Sequence, residues 1–140
     1  MADRPIVVDT GPLVAFLVAD DHHHAWAVER FKELRAPFLT CEPVLTEAYH
    51  LLRRLRLGEQ RFFELLARGL VEVDFRLAAE HAALASLTAK YHDLPMSLAD
   101  ACLVRMVELH PGATVFTVDG HFRIYRHHGR RRIPTIMPGG

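Results

Sequence analysis

The sequence predicts an α/β protein in which a mainly parallel sheet of about five strands lies between two layers of helices. Short apolar runs alternate along the 140 residues with longer segments whose apolar residues recur at helical spacing. Strands and helices that alternate in this way form parallel sheets that are covered on both faces. Half of the residues are hydrophobic, which suffices for one compact domain with a buried sheet. We therefore expect a single domain over residues 1–140.

Five short segments are expected to be strands, because each is apolar or β-branched and is bounded by turn or charged residues. They are residues 5–8, 37–41, 70–75, 113–118 and 133–136. The first is a continuous apolar run, which is typical of a strand that is buried on both faces. Asp9 follows this strand directly, and Pro12 is expected to begin the next helix.

Five longer segments are predicted to be helices from their apolar spacing and their end signals. They are residues 22–35, 43–55, 58–69, 76–91 and 97–110. Pro43 suits the first position of its helix, where the backbone donor that proline lacks is not needed. Ser97 and Asp100 have the spacing of an N-terminal capping box.

The net charge does not indicate a nucleic-acid-binding protein, because 17 Lys and Arg residues balance 17 Asp and Glu residues. Basic residues are nevertheless concentrated in two segments, 53–56 and 121–140, and the second contains no acid. Such clusters can hold phosphate groups, and they are equally compatible with a solvated basic surface. Cys41 and Cys102 lack the close spacing of metal or redox motifs, so we expect buried, reduced thiols.

No apolar run approaches the ~20 residues of a membrane span, and the N-terminus has no basic and apolar leader. We therefore expect a cytoplasmic protein that makes no contact with a membrane.

Four acids, each at a junction between predicted elements, are expected to lie at one end of the sheet. They are Asp9, Glu47, Asp100 and Asp119. In a parallel sheet the carboxyl ends of the strands and the amino ends of the following helices share one edge, so distant acids can converge there. Taken singly, each acid could instead serve a turn or a helix N-terminus.

Carboxylates that share a pocket need a cation. Two charges ~4 Å apart repel by about 4 kcal/mol at an effective dielectric constant near 20. Oxygen ligands without paired cysteines or histidines suit Mg²⁺ or Mn²⁺ better than Zn²⁺. Such ions polarise phosphodiesters and activate water, which leads to the hypothesis of a metal-dependent phosphodiesterase.

Four stretches of the sequence resemble the motifs of the PIN-domain ribonucleases, and among them those of the VapC-type toxins of type II toxin–antitoxin (VapBC) pairs. They are "VVDTGPLVAFL", "LTEAYHLL", "PMSLADACLV" and "VFTVDGHF", and each contains one of the four acids. The resemblance implies a three-layer α/β/α PIN-like domain. It also implies a site for one or two Mg²⁺ or Mn²⁺ ions, formed by the four acids, and endonucleolytic cleavage of RNA by a metal-activated water.

The resemblance further implies supporting residues and partners. Thr117 matches a hydroxyl position that supports the acidic site, and Thr10 beside Asp9 is a second supporting candidate. Many relatives carry an aspartate at the position of His121, so the second ion would lose a ligand here. A VapB-type antitoxin and a second copy of the chain are the implied protein partners. The candidates for RNA contact in the basic segments are Arg53, Arg54, Arg123 and Arg126.

Two alternatives to the toxin remain open at this point. One is a PIN-like module that binds RNA or protein without catalysis. The other is a housekeeping PIN nuclease without an antitoxin. The sequence does not identify the RNA that would be cleaved.

Overall fold

The computed structural model describes residues 4–139, and a parallel sheet of five short strands forms its centre. The strands are β1 (Ile6–Val8), β2 (Phe38–Thr40), β3 (Val71–Val73), β4 (Thr114–Phe116) and, at the C-terminal edge, β7 (Thr135–Ile136). Their order is β3-β2-β1-β4-β7, and every neighbouring pair is parallel. The predicted α/β class and the five parallel strands are therefore confirmed.

Six α-helices and two short 3₁₀ helices connect and cover the strands. The α-helices are α1 (Thr10–Leu17), α2 (His24–Glu33), α3 (Glu42–Leu52), α4 (Gly58–Ala67), α5 (His81–Lys90) and α6 (Leu98–Leu109). The 3₁₀ helices are Leu77–Glu80 and Gly120–Arg123. Among residues 4–139, no helix combines the length and the apolar character that crossing a membrane requires.

The core lies on both faces of the central strands. Val7 and Val8 of β1 and Val115 and Phe116 of β4 are fully buried, as a continuous apolar run predicts. Phe116 also contacts the ring of Phe31, with the ring centres 4.9 Å apart. Burying one such side chain stabilises the fold by about 1.5–3 kcal/mol, so these contacts hold the ends of β1 and β4 in place. Both cysteines are buried and reduced, as expected.

The first helix begins earlier than predicted. The sequence analysis placed its start at Pro12, whereas α1 starts at Thr10 because Asp9 caps it. Pro12 lies in the first turn, where its missing backbone donor has no partner to lose. Pro43 likewise lies within the first two positions of α3 rather than at the first. Residues 76–91, predicted as one helix, form a 3₁₀ helix followed by α5.

An antiparallel hairpin near the C-terminus was not predicted. Its strands are β5 (Arg126–His127) and β6 (Arg131–Arg132), which pair with each other and not with the central sheet. Its turn contains His128 and Gly129 with φ values of 48° and 80°. The segment has no alternation of apolar and polar residues, which is the usual signal of a strand.

Candidate active site

Asp9 directly follows β1, the middle strand of the sheet, and its backbone N–H donates to the carbonyl of Phe116 at the end of β4 over 2.9 Å. It is buried, and each of its carboxylate oxygens accepts one hydrogen bond. The backbone N–H of Thr10 donates to Oδ1 over 2.7 Å, and the hydroxyl of Thr117 donates to Oδ2 over 2.7 Å. Thr117 directly follows β4, which pairs with β1, so the sheet register places this hydroxyl beside Asp9.

Asp119 is linked to Asp9 through the same threonine. The backbone N–H of Asp119 donates to the Thr117 hydroxyl oxygen over 3.0 Å. Asp119 Oδ1 then accepts hydrogen bonds from the backbone N–H and from ring Nδ1 of His121, each over 2.9 Å. Thr117 therefore fixes one acid through its hydroxyl proton and the next through its oxygen.

Asp100 combines a helix-capping role with a place beside the other acids. Its backbone N–H donates to Ser97 Oγ over 3.0 Å, and the Ser97 N–H donates to Asp100 Oδ2 over 3.4 Å. This is the reciprocal capping box that the spacing predicted. The hydroxyl of Tyr125 donates to the same Oδ2 over 3.0 Å. Asp100 is thus buried and held from two sides.

Glu47 differs from the three aspartates because its side chain is exposed on α3. The hydroxyl of Thr10 donates to Glu47 Oε2 over 3.0 Å. Since the N–H of Thr10 donates to Asp9, Thr10 joins the fourth acid to the buried group. The fold therefore brings Asp9, Asp100 and Asp119 together and connects Glu47 to them at the rim.

Neighbouring aspartates raise the pKa of Asp9 and of Asp100. Burial raises the pKa of Asp9 from 3.8 to about 6, and the negative charges of Asp100 and Asp119 add to this, while the hydrogen bonds from Thr117 and Thr10 oppose it. Burial and Asp119 also raise the pKa of Asp100, against the hydrogen bond from Tyr125. Within residues 4–139, no Lys or Arg side chain forms an ion pair with any of the three. The basic side chain that contacts Asp119 is the imidazole of His121, with Nδ1 2.9 Å from Oδ1.

The donor atoms suit a hard divalent cation. Oδ1 of Asp100 and Oδ2 of Asp119 accept no hydrogen bond from residues 4–139, so both oxygens are available to a ligand. Carboxylate oxygens are the ligands that Mg²⁺ and Mn²⁺ prefer. Within residues 4–139, no group of three or more His, Cys, Asp or Glu side chains is arranged closely enough to hold a metal ion as it stands. The acids therefore have the ligand atoms and the charge that Mg²⁺ or Mn²⁺ requires, but their side chains do not form a complete coordination shell.

Comparison with known proteins identifies the family. A family model of the PIN domain matches residues 6–127, which include all four acids. The chain belongs to the PIN-domain family. Among solved structures, it is similar to Mycobacterium tuberculosis VapC20, which is described as a toxin that cleaves the sarcin–ricin loop. The TM-score is 0.70 at 24% sequence identity, over 82% of this chain and 90% of that chain. No curated protein matches in sequence. The predicted three-layer PIN-like fold is confirmed.

The four candidate arginines lie in two different places on this PIN domain. Arg53 and Arg54 are exposed at the end of α3, where Arg54 approaches the ring of His50 at 3.5 Å. Arg123 is exposed in the 3₁₀ helix that follows Asp119. Arg126 Nη1 donates to the backbone carbonyls of Arg123, Ile124 and Tyr125, over 2.7, 2.9 and 3.1 Å. Arg126 therefore also stabilises the segment that carries Tyr125.

Tyr125 is the residue of the PIN domain's acidic group that sequence reasoning missed. It is fully buried, and its ring packs against Tyr91 and Phe122 with ring centres 5.1 and 5.2 Å away. Burial and the negative charge of Asp100 raise the pKa of its hydroxyl, so it remains a donor. Tyr125 and Asp100 are 25 residues apart in different elements, and no local pattern signals their contact.

Proposed function

We propose that this PIN domain is an endoribonuclease that uses Mg²⁺ or Mn²⁺ to hydrolyse RNA phosphodiester bonds. The observation that carries the proposal is the convergence of Asp9, Asp100 and Asp119 at one edge of the sheet, where no Lys or Arg of residues 4–139 forms an ion pair with them. A divalent ion would remove their mutual repulsion, and a phosphate group of the substrate would complete its ligand shell. Membership of the PIN family, whose members are nucleases, supports the same chemistry.

The acids of this site would bind the ion, and the two threonines would position the acids. Asp9, Asp100 and Asp119, with Glu47 at the rim, would hold the ion. When bound, the ion supplies an electrophile for the phosphodiester and lowers the pKa of a bound water. Thr117 fixes the carboxylate of Asp9, and Thr10 orients Glu47.

The remaining contacts leave ligand oxygens free. Ser97 and Tyr125 both bind Oδ2 of Asp100, so that Oδ1 stays available. His121 binds Oδ1 of Asp119, so that Oδ2 stays available. His121 stands where many relatives carry an aspartate, so a possible ligand is lost, which favours one bound ion over two.

We also propose that the protein is the toxin of a toxin–antitoxin pair, with a VapB-type antitoxin and a second copy of itself as partners. Its fold is similar to that of the VapC20 toxin, which supports this assignment. Four large apolar side chains are exposed on or between α3 and α4, and such a concentration is typical of protein interfaces. They are Leu51, Leu55, Leu57 and Phe63.

A cleavage assay tests the nuclease. The purified protein should cleave a labelled RNA stem-loop in Mg²⁺ or Mn²⁺ and should stop when EDTA is added. Asp9→Asn should lower the rate by about 10²–10³-fold, because charge stabilisation at the reacting phosphate is lost. The control is Asp20→Asn, which removes an exposed acid beyond the far end of α1 and should cleave normally. Metal-independent cleavage, or full activity of Asp9→Asn, would contradict the proposal.

Induced expression separates the toxin from its two alternatives. A toxin should arrest growth, and Asp100→Asn should relieve the arrest. A housekeeping nuclease would cleave RNA in the assay without arresting growth. A binding module would retain RNA affinity without any cleavage, and Asp9→Asn would not change its behaviour.

A further inference from the structure

The hairpin of residues 126–132, called the basic hairpin below, consists of six basic or imidazole side chains and one glycine. They are Arg126, His127, His128, Gly129, Arg130, Arg131 and Arg132. Its two cross-strand pairs are Arg126 with Arg132 and His127 with Arg131. Like charges that lie directly opposite in an antiparallel pair are destabilising. The Arg126–Arg132 pair is therefore electrostatically unfavourable for the hairpin.

Within residues 4–139, the carboxylate that is bonded to the hairpin is that of Glu108. The side chains of Arg130, Arg131 and Arg132 form no ion pair and no hydrogen bond with residues 4–139. Glu108 reaches the turn through the backbone N–H of His128, over 2.7 Å. Lys90 adds a further positive charge, since its Nζ donates to the Gly129 carbonyl over 2.8 Å. Burial lowers the pKa of His127, and His128 and Arg131 lower it further, while the charge of Glu108 opposes them.

The basic hairpin extends from the acidic site along helix α6. Tyr125, the residue before it, contacts Asp100 in the first turn of α6. In the turn of the hairpin, the backbone N–H of His128 donates to the carboxylate of Glu108, near the end of the same helix. Eight residues of helix separate Asp100 from Glu108, which corresponds to about 12 Å at 1.5 Å per residue. A line of positive charge thus leads away from the three aspartates.

We propose that the basic hairpin binds the phosphate backbone of the RNA strand that leaves the active site. This inference rests on the proposed nuclease function. It adds a surface that would hold the RNA backbone outside the active site, called the substrate track below. Phosphate contacts position a strand without reading its sequence, so the track would raise affinity for any RNA. The second strand of the hairpin lies beyond residues 6–127, which match the PIN family model.

Charge and composition favour RNA over an acidic protein as the occupant. The basic hairpin contains no apolar side chain, whereas the centre of a protein interface is apolar. The exposed apolar side chains of this molecule lie instead on and around α3 and α4. A polyanion with regularly spaced charges matches the hairpin without any apolar contact.

The test uses the full chain with Arg130→Gln and Arg132→Gln together. Binding of a fluorescein-labelled single-stranded RNA of about 16 nucleotides is measured by anisotropy in EDTA, in the Asp9→Asn background to prevent cleavage. Loss of two phosphate contacts should reduce the slope of log K against log salt by about 1.4 and weaken binding about 25-fold near 0.1 M salt. With Asp9 intact, KM should rise while kcat changes little, because the track binds substrate and transition state alike.

Stability distinguishes this role from a structural one. The melting temperature of the double variant should equal or exceed that of the parent, because the Arg126–Arg132 repulsion is removed. Lys32→Gln, which removes an exposed charge on α2, is the matched control and should leave RNA affinity and salt slope unchanged. Unchanged RNA affinity in the double variant would overturn the proposal. Equal affinity of the parent for polyglutamate, lost in parallel with RNA, would also overturn it and assign the hairpin to an acidic protein.

Failure of the nuclease function can be distinguished from failure of the substrate track alone. If the parent chain with Asp9 intact cleaves no RNA in Mg²⁺ or Mn²⁺, the nuclease function fails, and the substrate track fails with it. If that protein cleaves RNA while the double variant binds and cleaves as the parent does, only the track fails.

Discussion

The acidic site and the basic hairpin are charged in opposite senses, and they are built differently. The acids come from four distant parts of the chain, and the three aspartates are held by hydrogen bonds from neighbouring hydroxyl groups and backbone N–H groups. The hairpin is seven consecutive residues whose arginines at positions 130–132 point to no partner in residues 4–139. The three aspartates are buried or partly buried, whereas the side chains of Arg130, Arg131 and Arg132 are exposed.

The difference shows how a chain of zero net charge can still be strongly polar. The positive and negative residues of the chain balance in number, but three aspartates gather at one site and four arginines lie in one hairpin. A metal ion would neutralise the buried acids, and a phosphate backbone would neutralise the exposed arginines. RNA bound together with its metal would satisfy both regions at once. The experiments below test whether the two regions differ in the way that this comparison requires.

The largest expected effect is the pH dependence that Asp9 contributes to stability. Its pKa is about 6 in the folded protein and 3.8 when it is unperturbed, so folding favours the protonated carboxyl. The stability that this group contributes is complete below pH 3.8 and is lost as the pH rises through about 6. Asp9→Asn should therefore gain about 3 kcal/mol relative to the wild-type protein over this window. Urea unfolding in EDTA between pH 4 and pH 7 measures the difference.

Metal provides the control for this prediction. In the wild-type protein at pH 7.5, Mg²⁺ at about 10 times its Kd should raise the free energy of unfolding by about 1.4 kcal/mol. Asp9→Asn should respond much less, because it has lost a ligand. If the stability difference between the two proteins did not vary with pH, the raised pKa of Asp9 would be contradicted.

The next effect concerns Tyr125, which orients Asp100 without belonging to any motif. Tyr125→Phe keeps the ring contacts with Tyr91 and Phe122 but removes the hydroxyl that donates to Asp100. Loss of a group that orients a metal ligand typically costs 10–100-fold in metal affinity or activity. We expect a loss of this size in Mn²⁺ affinity, measured by calorimetry, and in the rate of RNA cleavage.

Tyr91→Phe is the matched control for this substitution. The Tyr91 hydroxyl accepts a hydrogen bond from the backbone N–H of Arg126 over 2.8 Å. Its removal should cost about 1–3 kcal/mol of stability, because a polar backbone group loses its partner, and should leave Mn²⁺ affinity unchanged. If Tyr125→Phe bound Mn²⁺ as tightly as the wild-type protein, Tyr125 would have a packing role only.

The sequence predicts the acidic site better than the hairpin, for physical reasons. Asp9 directly follows β1, and Asp119 lies shortly after β4. Because both strands are parallel, the topology predicts that the two acids lie at the same edge of the sheet. The capping box at Ser97 and Asp100 is a local pattern, and the structure confirms it. The roles of the four acids in catalysis stay a prediction.

Other features depend on packing that no local pattern contains. The contact of Tyr125 with Asp100 joins the segment after the second 3₁₀ helix to α6. The exposure of Glu47 depends on how α3 lies against α1, where Thr10 meets it. The basic hairpin offers no apolar alternation, and its turn has His128 in a left-handed conformation where Asn, Asp or Gly is the usual sequence signal.

The smallest expected effect is a salt dependence that separates the two regions. Exposed charges are screened at high ionic strength, whereas buried charges are screened much less. Raising NaCl from about 0.05 M to about 1 M in EDTA should therefore relieve the Arg126–Arg132 repulsion and stabilise the wild-type protein by roughly 0.2–1 kcal/mol. Arg132→Gln should show a smaller increment because it has no repulsion at this pair to relieve, while Lys32→Gln should behave as the wild type does. An increment in Arg132→Gln equal to that of the wild-type protein would mean that the hairpin carries no uncompensated charge, and the contrast with the acidic site would then rest on the aspartates alone.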